Sequence, residues 1–242
     1  MRWAGLAWLD GGLRFGYYLN MFKTAATPKS EATRRHILET ALGLFRQRGF
    51  DATTMREIAA EAGMALGAAY YYFPSKEAIV SAYYDQVQDE HERLTRTMLA
   101  GARDLRSRLR AAFRAKLEVI GKDRGLLSAL FRHVGDPKDP LSVFGPGTTK
   151  QREQSIATFA AALGDETLPP DLQPFAPRLV WFIHLGLVFY MLFDDSPRQR
   201  RTHKLADVAA DLFAGVLTLA RLPGFGALRR RTLDALREAE VL

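Results

Sequence analysis

Apolar residues in this chain recur at intervals of three and four, and no stretch keeps the strict alternation that a half-buried strand requires. Ten such stretches follow one another between Ser30 and Glu240, and breaks that contain glycine or proline separate many of them. Helices without a sheet can bury their apolar faces only against one another, so the pattern predicts an all-α fold. The interval is clearest in the first stretch, at Ile37, Leu38, Ala41, Leu42, Leu44 and Phe45.

The composition narrows the kinds of site that the chain can hold. It has 242 residues and 0 cysteines, which excludes disulfides, thiolate zinc sites, iron–sulfur clusters and cysteine nucleophiles, and agrees with the reducing cytoplasm, where we expect it. The net charge of +7 favours a polyanionic partner. The stretch from Lys29 to Val80 nevertheless holds seven Lys/Arg against six Asp/Glu. DNA binding therefore has to be judged from motif and geometry.

The longest apolar run, Leu179–Phe193, contains fifteen residues and is broken only by His184. A bilayer span needs about 20 residues, so the run predicts a buried helix and no membrane partner.

The first twenty residues do not have the pattern of a signal peptide, because Asp10, Gly11 and Gly12 interrupt their apolar pieces. Three interpretations stay open. We favour an extension upstream of a true start at Met21; the others are a flexible arm and a weak membrane-touching segment. Residues 1–29 are accordingly expected to form an N-terminal extension or arm.

Two short predicted helices lie within Thr54–Phe73 and are joined by a turn at Gly63. Thr54 and Glu57 have the spacing of a capping box at the start of the first helix. Two helices joined in this way have the geometry of a helix-turn-helix, whose second helix enters the DNA major groove. The pattern alone is of moderate specificity, since small helical bundles contain similar turns. The first helix has one clean buried face, formed by Met55, Ile58, Ala59 and Ala62.

Particular residues make this signal much more specific. The stretch Thr33–Tyr84, about a fifth of the chain, resembles the DNA-binding domain of the TetR family of transcriptional regulators along its whole length. The resemblance implies a three-helix helix-turn-helix domain over residues 30–85 and a helical bundle for ligand binding and dimerisation over residues 86–242. The residues that carry it are Ile37-Leu38, Ala41, Phe45, Gly49-Phe50, Ala52-Thr53-Thr54, Ile58-Ala59, Ala62-Gly63, Gly67-Ala68, Tyr70-Tyr71, Phe73 and Pro74-Ser75-Lys76-Glu77.

The predicted DNA contacts begin with the caps and small residues of the two helices. Thr54 would point the first amides of its helix at a phosphate, and Arg56 would add a charged contact or lie in solvent. Small or apolar residues allow the second helix to enter the groove deeply and to touch a thymine methyl group. The residues with this property are Leu66, Gly67 and Ala68.

The tyrosines and Lys76 complete the predicted DNA-binding set. Tyr70, Tyr71 and Tyr72 cannot all be buried on one short helix, so at least one faces outward. The family resemblance implies that Tyr70 contacts DNA, that Tyr72 contacts phosphate and that Lys76 clamps a phosphate. One position departs from the family pattern: Ala65 stands where a capping Ser or Thr is usual, and loss of such a cap typically costs about 0.5–2 kcal/mol.

Two helices in the second domain, about Phe175–Phe193 and Arg201–Leu222, are too apolar to bury only one stripe. We expect one side of each helix to face the domain core and the other side to form a subunit interface. The alternative is a thick core within a monomer. The family resemblance implies that these helices pair into a four-helix dimer bundle. We therefore expect a homodimer that reads a pseudo-palindromic operator in double-stranded DNA.

Aromatic residues with a few polar groups in the second domain predict a site for a small apolar effector. A ligand wedged among Phe113, Phe131, Phe159 and Trp181 would tilt the long helix from Ser75 to about Ala100 and move the recognition helices apart. Core packing is the alternative for every one of these residues. The candidate ligand-binding residues are Phe113, Leu117, Leu127, Leu130, Phe131, His133, Phe159, Trp181 and His184.

No enzyme motif emerges from the sequence. Gly145–Lys150 resembles a phosphate-binding loop only superficially, because it lacks the glycine before the lysine and the Ser/Thr after it. The histidines show no metal-ligand spacing, and no catalytic, metal or cofactor site is predicted. The sequence predicts a ligand-released repressor; the alternatives are a ligand-independent helix-turn-helix protein and a helical interaction protein that does not bind DNA.

Overall fold

The computed structural model describes residues 27–164 and 168–238, so the predicted extension over residues 1–29 falls almost entirely outside the described residues. The described residues contain ten α-helices and no strand, which confirms the predicted all-α fold. The helices are α1 (Pro28–Arg48), α2 (Met55–Glu61), α3 (Leu66–Tyr72), α4 (Lys76–Leu99), α5 (Leu105–Gly121), α6 (Arg124–Val134), α7 (Thr149–Leu163), α8 (Ala176–Phe193), α9 (Arg200–Ala220) and α10 (Gly226–Glu238).

Capping hydrogen bonds and glycines set the ends of the first helices. The Thr27 hydroxyl accepts a hydrogen bond from the Ser30 amide at 3.2 Å and caps α1, and Ser75 caps α4 in the same way. Gly49 follows α1 at φ +88° and Gly63 lies between α2 and α3 at φ +67°. Side chains other than hydrogen rarely adopt these angles, so the two glycines set the turns of the helix-turn-helix.

Two hydrophobic cores organise the chain. The first contains α1, α2, α3 and the start of α4, with Phe45, Ile58 and Phe73 among its fully buried side chains. The second contains buried residues from α5, α7, α8, α9 and α10, including Phe113 and Phe159. The apolar stripe predicted for the first helix and the buried face predicted for the second both lie in the first core.

Helix α6 joins the two cores. Leu126 and Leu130 are fully buried in the first core together with Leu141 from the following loop, although all three lie beyond the predicted domain boundary at residue 85. Leu127 packs against both cores, as does Val87 of α4. The helix-turn-helix therefore shares part of its core with the second domain.

A buried carboxylate fixes this junction. Asp123, just before α6, accepts hydrogen bonds from Arg46 Nε of α1 at 3.0 Å and from the Tyr83 hydroxyl of α4 at 3.1 Å. Burial, with the Asp123 charge, raises the pKa of Tyr83, so its hydroxyl stays a donor. The next residue, Arg124, donates to the carbonyl oxygens of Leu192 and Asp194 at the end of α8. Adjacent residues thus connect α1 and α4 to α8.

Helix α8 is the one described helix that is long and apolar enough to cross a membrane by length and composition, and 39% of its 18 residues are buried. It contacts α6, α7 and α9, and its buried residues belong to the second core. These contacts agree with the predicted packing helix, although part of its apolar surface remains exposed.

The Asp123 junction yields a stability prediction. Asp123→Ala removes the partner of a buried tyrosine hydroxyl and of Arg46, and we expect it to lower the free energy of unfolding by about 2–4 kcal/mol. Asp195→Ala is the control, because Asp195 is 84% exposed and its one ion pair among the described residues is with Arg201 at 3.1 Å. It should change stability by less than about 0.5 kcal/mol. Urea denaturation measures both; equal losses would contradict the role of Asp123.

Candidate DNA-binding surface and ligand cavity

The first helix of the helix-turn-helix is held by the predicted capping box. The Glu57 amide donates to the Thr54 hydroxyl at 3.2 Å, and the Glu57 carboxylate accepts from the Thr54 amide at 2.8 Å and from its hydroxyl at 2.9 Å. These hydrogen bonds lower the pKa of Glu57, which stays ionised. The Thr54 hydroxyl proton is therefore already used, and the backbone amides at the start of α2 are the donors that Thr54 presents to a phosphate.

Helix α3 exposes a narrow face. Gly67 and Ala68 are exposed, Tyr71 is 82% exposed and Tyr70 is 47% exposed. A helix with such small residues in its first turn can approach another surface closely, with Tyr71 as the most projecting side chain. Arg56 of α2 is exposed as well, as a phosphate contact requires.

Two predicted contacts turn partly inward. Leu66 and Tyr72 are half-buried and pack against the first core, because they share the side of α3 with the fully buried Ala69. Leu66 therefore contributes to the first core and leaves only part of its side chain exposed, and its contact with DNA stays a prediction. Tyr72 presents only part of its ring, which meets Tyr71 edge-on at 5.2 Å. Ala65 precedes α3 with no side-chain cap, as the sequence predicts.

Lys76 has partners within the chain. Its ammonium donates to the Phe50 carbonyl oxygen at 2.7 Å and lies 4.5 Å from the centre of the Phe50 ring. These contacts fasten the turn between α1 and α2 to the start of α4. The phosphate-clamping role that the resemblance implies for Lys76 stays a prediction, and in this structure its role is to hold the turn.

A cavity of about 320 Å³ lies where the two cores meet. Its walls come from five consecutive helices, α4 to α8, and from the loop after α6. Of the candidate ligand-binding residues, Leu127, Phe131, Trp181 and His184 line it. Phe131 meets Phe189 at 5.1 Å between ring centres, and both are partly exposed at the rim. The volume lies at the small end of the range for ligand pockets.

Only two of the four candidate residues on α6 line the cavity, and helical geometry explains why. Leu127, Phe131 and Val134 line the cavity, whereas Leu126, Leu130 and His133 lie one position earlier on the helix and face the helix-turn-helix. A single residue step rotates a side chain by about 100° around the axis. Leu130 is fully buried in the first core, and His133 lies beside the turn between α1 and α2, with its Nε2 3.4 Å from the Asp51 carboxylate.

Three further candidates are core residues. Phe113, Leu117 and Phe159 are buried in the second core and do not line the cavity. On α5 the cavity side is formed by Lys116 and Ile120 instead. Phe159 lies behind His184, with 5.1 Å between ring centres. Of the four residues in the predicted wedge, Phe131 and Trp181 line the cavity, whereas Phe113 and Phe159 lie in the core behind it.

The polar groups of the cavity were not among the residues predicted from the sequence. Lys116 lines it although only 3% of its surface is exposed, and its ammonium donates to Gln88 Oε1 at 2.9 Å. Burial lowers the pKa of Lys116 to about 7, and burial together with Lys116 lowers the pKa of His184 to about 3. The missed signal was a lysine at position 116 on the buried stripe of α5.

Helix α9 has two apolar sides. Its buried side is rich in small residues, such as Ala206 and Ala210, whereas a stripe of larger residues is 40–67% exposed. Phe189, Tyr190 and Phe193 of α8 are exposed as well. Such extended apolar surface is typical of an interface. The α9 stripe, spaced by three and four, consists of Leu205, Val208, Leu212, Val216 and Leu219.

A capped helix followed by an exposed short helix has the arrangement of a helix-turn-helix, and here it packs against a helical domain that contains the cavity. Residues 37–83 match the family model of bacterial regulatory proteins of the tetR family. Residues 37–83 therefore form a helix-turn-helix of the tetR type, and the chain is similar to TetR-family transcriptional regulators in sequence and in fold.

Three related proteins illustrate the similarity. YuxN of Bacillus subtilis, an uncharacterised HTH-type transcriptional regulator, is 38% identical over 84 residues, which cover 35% of this chain and only 28% of YuxN. The transcriptional repressor KstR2 of Mycolicibacterium smegmatis is 29% identical over 150 residues, 60% of this chain and 73% of KstR2. The crystal structure of the TetR-family regulator PfmR of Thermus thermophilus shares the fold at a TM-score of 0.51, with 21% identity and coverage of 73% of this chain and 92% of PfmR.

Adjacent tyrosines on α3 give a matched pair of variants. Tyr71→Ala removes the most exposed side chain of α3 and should weaken operator binding by about 1–3 kcal/mol, roughly 5- to 150-fold in Kd, with little change in stability. Tyr72→Ala should instead lower the unfolding midpoint, because its ring packs against the first core. Fluorescence anisotropy and thermal melts measure the two effects. Unchanged DNA affinity in Tyr71→Ala would contradict the assigned surface.

Proposed function

We propose that this protein is a dimeric transcriptional repressor of the cytoplasm that binds a pseudo-palindromic operator and leaves it when a small molecule occupies the cavity. The observation that carries the proposal is the position of the cavity: α4 and α6 form part of its wall and also part of the helix-turn-helix core. The description of KstR2 as a repressor supports the mode of action.

The proposed DNA contacts follow from exposure. The helix-turn-helix would place Gly67, Ala68 and Tyr71 at the base edges, with Tyr70 beside them. Arg56 and the amides behind Thr54 would contact phosphates on the flanking backbone. Few of these groups form strong hydrogen bonds with bases, so methyl contacts and DNA shape would carry much of the specificity.

Ligand control would act through α6 as well as through α4. The sequence pointed only to the long helix α4. A molecule against Leu127 and Phe131 would push on a helix whose other side, through Leu126 and Leu130, forms part of the helix-turn-helix core. It can release DNA only if it binds one arrangement of these helices more tightly than another. A ligand-independent helix-turn-helix protein remains the second candidate.

Repression is tested with DNA selected from genomic fragments by the purified protein. We expect enrichment of a pseudo-palindrome whose half-sites are about one DNA turn apart or somewhat more, since two recognition helices of a two-fold dimer read such a site. A promoter that carries the site should give less reporter product when the protein is present. Failure to enrich any site, or a rise in reporter product, would contradict the proposal.

The dimer interface is tested with one substitution and a control. Leu212→Glu places a charge in the centre of the exposed α9 stripe and should convert the dimer to a monomer that binds operator poorly, because a buried unpaired charge destabilises an apolar interface. Leu228→Glu, at a 61% exposed position on α10 outside the stripe, should leave the dimer intact. Light scattering after gel filtration gives both masses. A dimeric Leu212→Glu protein would locate the interface elsewhere.

A further inference from the structure

The buried ammonium of Lys116 lies at the cavity without a counter-charge. Its one hydrogen-bond partner in the described part of the chain is the neutral side chain of Gln88, and no described carboxylate pairs with it. A lysine is seldom fully buried unless it is paired, because removal of its charge from water is unfavourable. An ammonium has three donors, so Lys116 keeps two that Gln88 does not use.

Other polar atoms without partners line the same cavity. The hydroxyls of Tyr84 on α4 and Ser155 on α7 are buried and make no hydrogen bond within the described residues. Gln151 of α7 donates its amide to Ser81 and Asp85 and leaves its oxygen without a donor. That oxygen can only accept hydrogen bonds, so it would not itself bind an anion. Buried polar atoms are normally satisfied, so this group indicates an occupant that supplies the missing partners.

Polar and apolar groups are distributed unevenly around the cavity. Lys116, Tyr84, Gln88 and Ser155 come from α4, α5 and α7. The walls from α6 and α8 are apolar apart from His184, whose pKa is lowered by burial and which is therefore neutral. An occupant that satisfies both sides has a polar end and an apolar body. The apolar residues of α6 and α8 at the cavity are Leu127, Phe131, Val134, Trp181, Leu185, Val188, Phe189 and Leu192.

We propose that the cavity binds a small carboxylic acid with a single anionic head and an apolar body, and that Lys116 holds the carboxylate with help from the Ser155 and Tyr84 hydroxyls. This inference rests on the proposed function of the cavity as an effector site and replaces the expectation of a purely apolar ligand. A cationic ligand would be repelled by Lys116. A purely apolar ligand would leave the polar atoms buried and unsatisfied.

Acid binding should depend on pH with a defined sign. Because burial lowers the pKa of Lys116 to about 7, the free protein loses this proton as the pH rises through that value. A carboxylate requires the protonated ammonium, so acid affinity should fall by up to about tenfold per pH unit above pH 7, with proton uptake on binding.

Few other groups near Lys116 change charge in this range. His91 of α4 and His184 of α8 have lowered pKa values, and burial raises the pKa of Tyr84. Asp85 pairs with Lys150 at 3.1 Å. From α7, Arg152 faces the cavity and donates to the carbonyl oxygens of Val143 and Gly145. The pH dependence should therefore report Lys116.

The test compares acids with neutral amides of the same shape. Isothermal titration calorimetry on the full chain at about pH 6 measures decanoate against decanamide and naphthoate against naphthamide. At least one acid should bind wild type about 10- to 100-fold more tightly than its amide, the range of a charge-assisted hydrogen bond. Lys116→Met should abolish the preference, with Lys116→Gln as a second neutral variant and melting curves as the check on folding. Lys150→Met, at a side chain 76% exposed, should keep it.

The outcomes separate this inference from the proposed function. Equal affinity of wild type for acid and amide, no binding of either acid, or a preference that survives in both Lys116 variants would overturn the assignment of the head group. Acid binding that depends on Lys116 but leaves operator affinity unchanged would uphold the assignment and contradict ligand-controlled repression instead.

Discussion

The hydrogen bonds around Asp123 are the constraint on which the two-domain arrangement depends. One carboxylate, buried at the start of α6, holds Arg46 of the first helix and Tyr83 of the fourth, and the neighbouring Arg124 holds the end of α8. The interactions are directional and the one with Tyr83 is buried, so they fix the orientation of α6 as well as its position. Since α6 faces the helix-turn-helix on one side and the cavity on the other, the proposed ligand control would act through direct packing of this helix.

Local sequence signals predicted the helices well because caps and glycines act over a few residues. Thr54 with Glu57, Ser75, Gly49 and Gly63 begin or end helices where their chemistry requires it. The family resemblance added the helix-turn-helix, whose exposed face on α3 agrees with the prediction for Gly67, Ala68, Tyr70 and Tyr71. The inward turn of Leu66 was not predictable from composition, because an apolar residue in the first turn suits both groove and core.

The cavity was predicted less well, because it depends on which face of each helix meets which neighbour. Aromatic content alone indicated Phe113 and Phe159, which lie in the core, and placed His133 with Leu127 although adjacent faces of α6 separate them. Lys116 was missed because a single lysine on an otherwise apolar stripe resembles a residue at the edge of the stripe. Tertiary packing of α4, α5 and α7 makes it a buried charge.

In the proposed mechanism, occupation of the cavity and binding of DNA are coupled through shared helices. Reciprocal titration tests it most directly: operator affinity is measured with and without a cavity ligand found by thermal-shift screening, and ligand affinity with and without operator. We expect ligand and operator each to weaken the binding of the other by the same factor, about 5- to 150-fold, as a coupling of about 1–3 kcal/mol requires. Equal ligand affinity for free and operator-bound protein would contradict it and favour a ligand-independent DNA-binding protein.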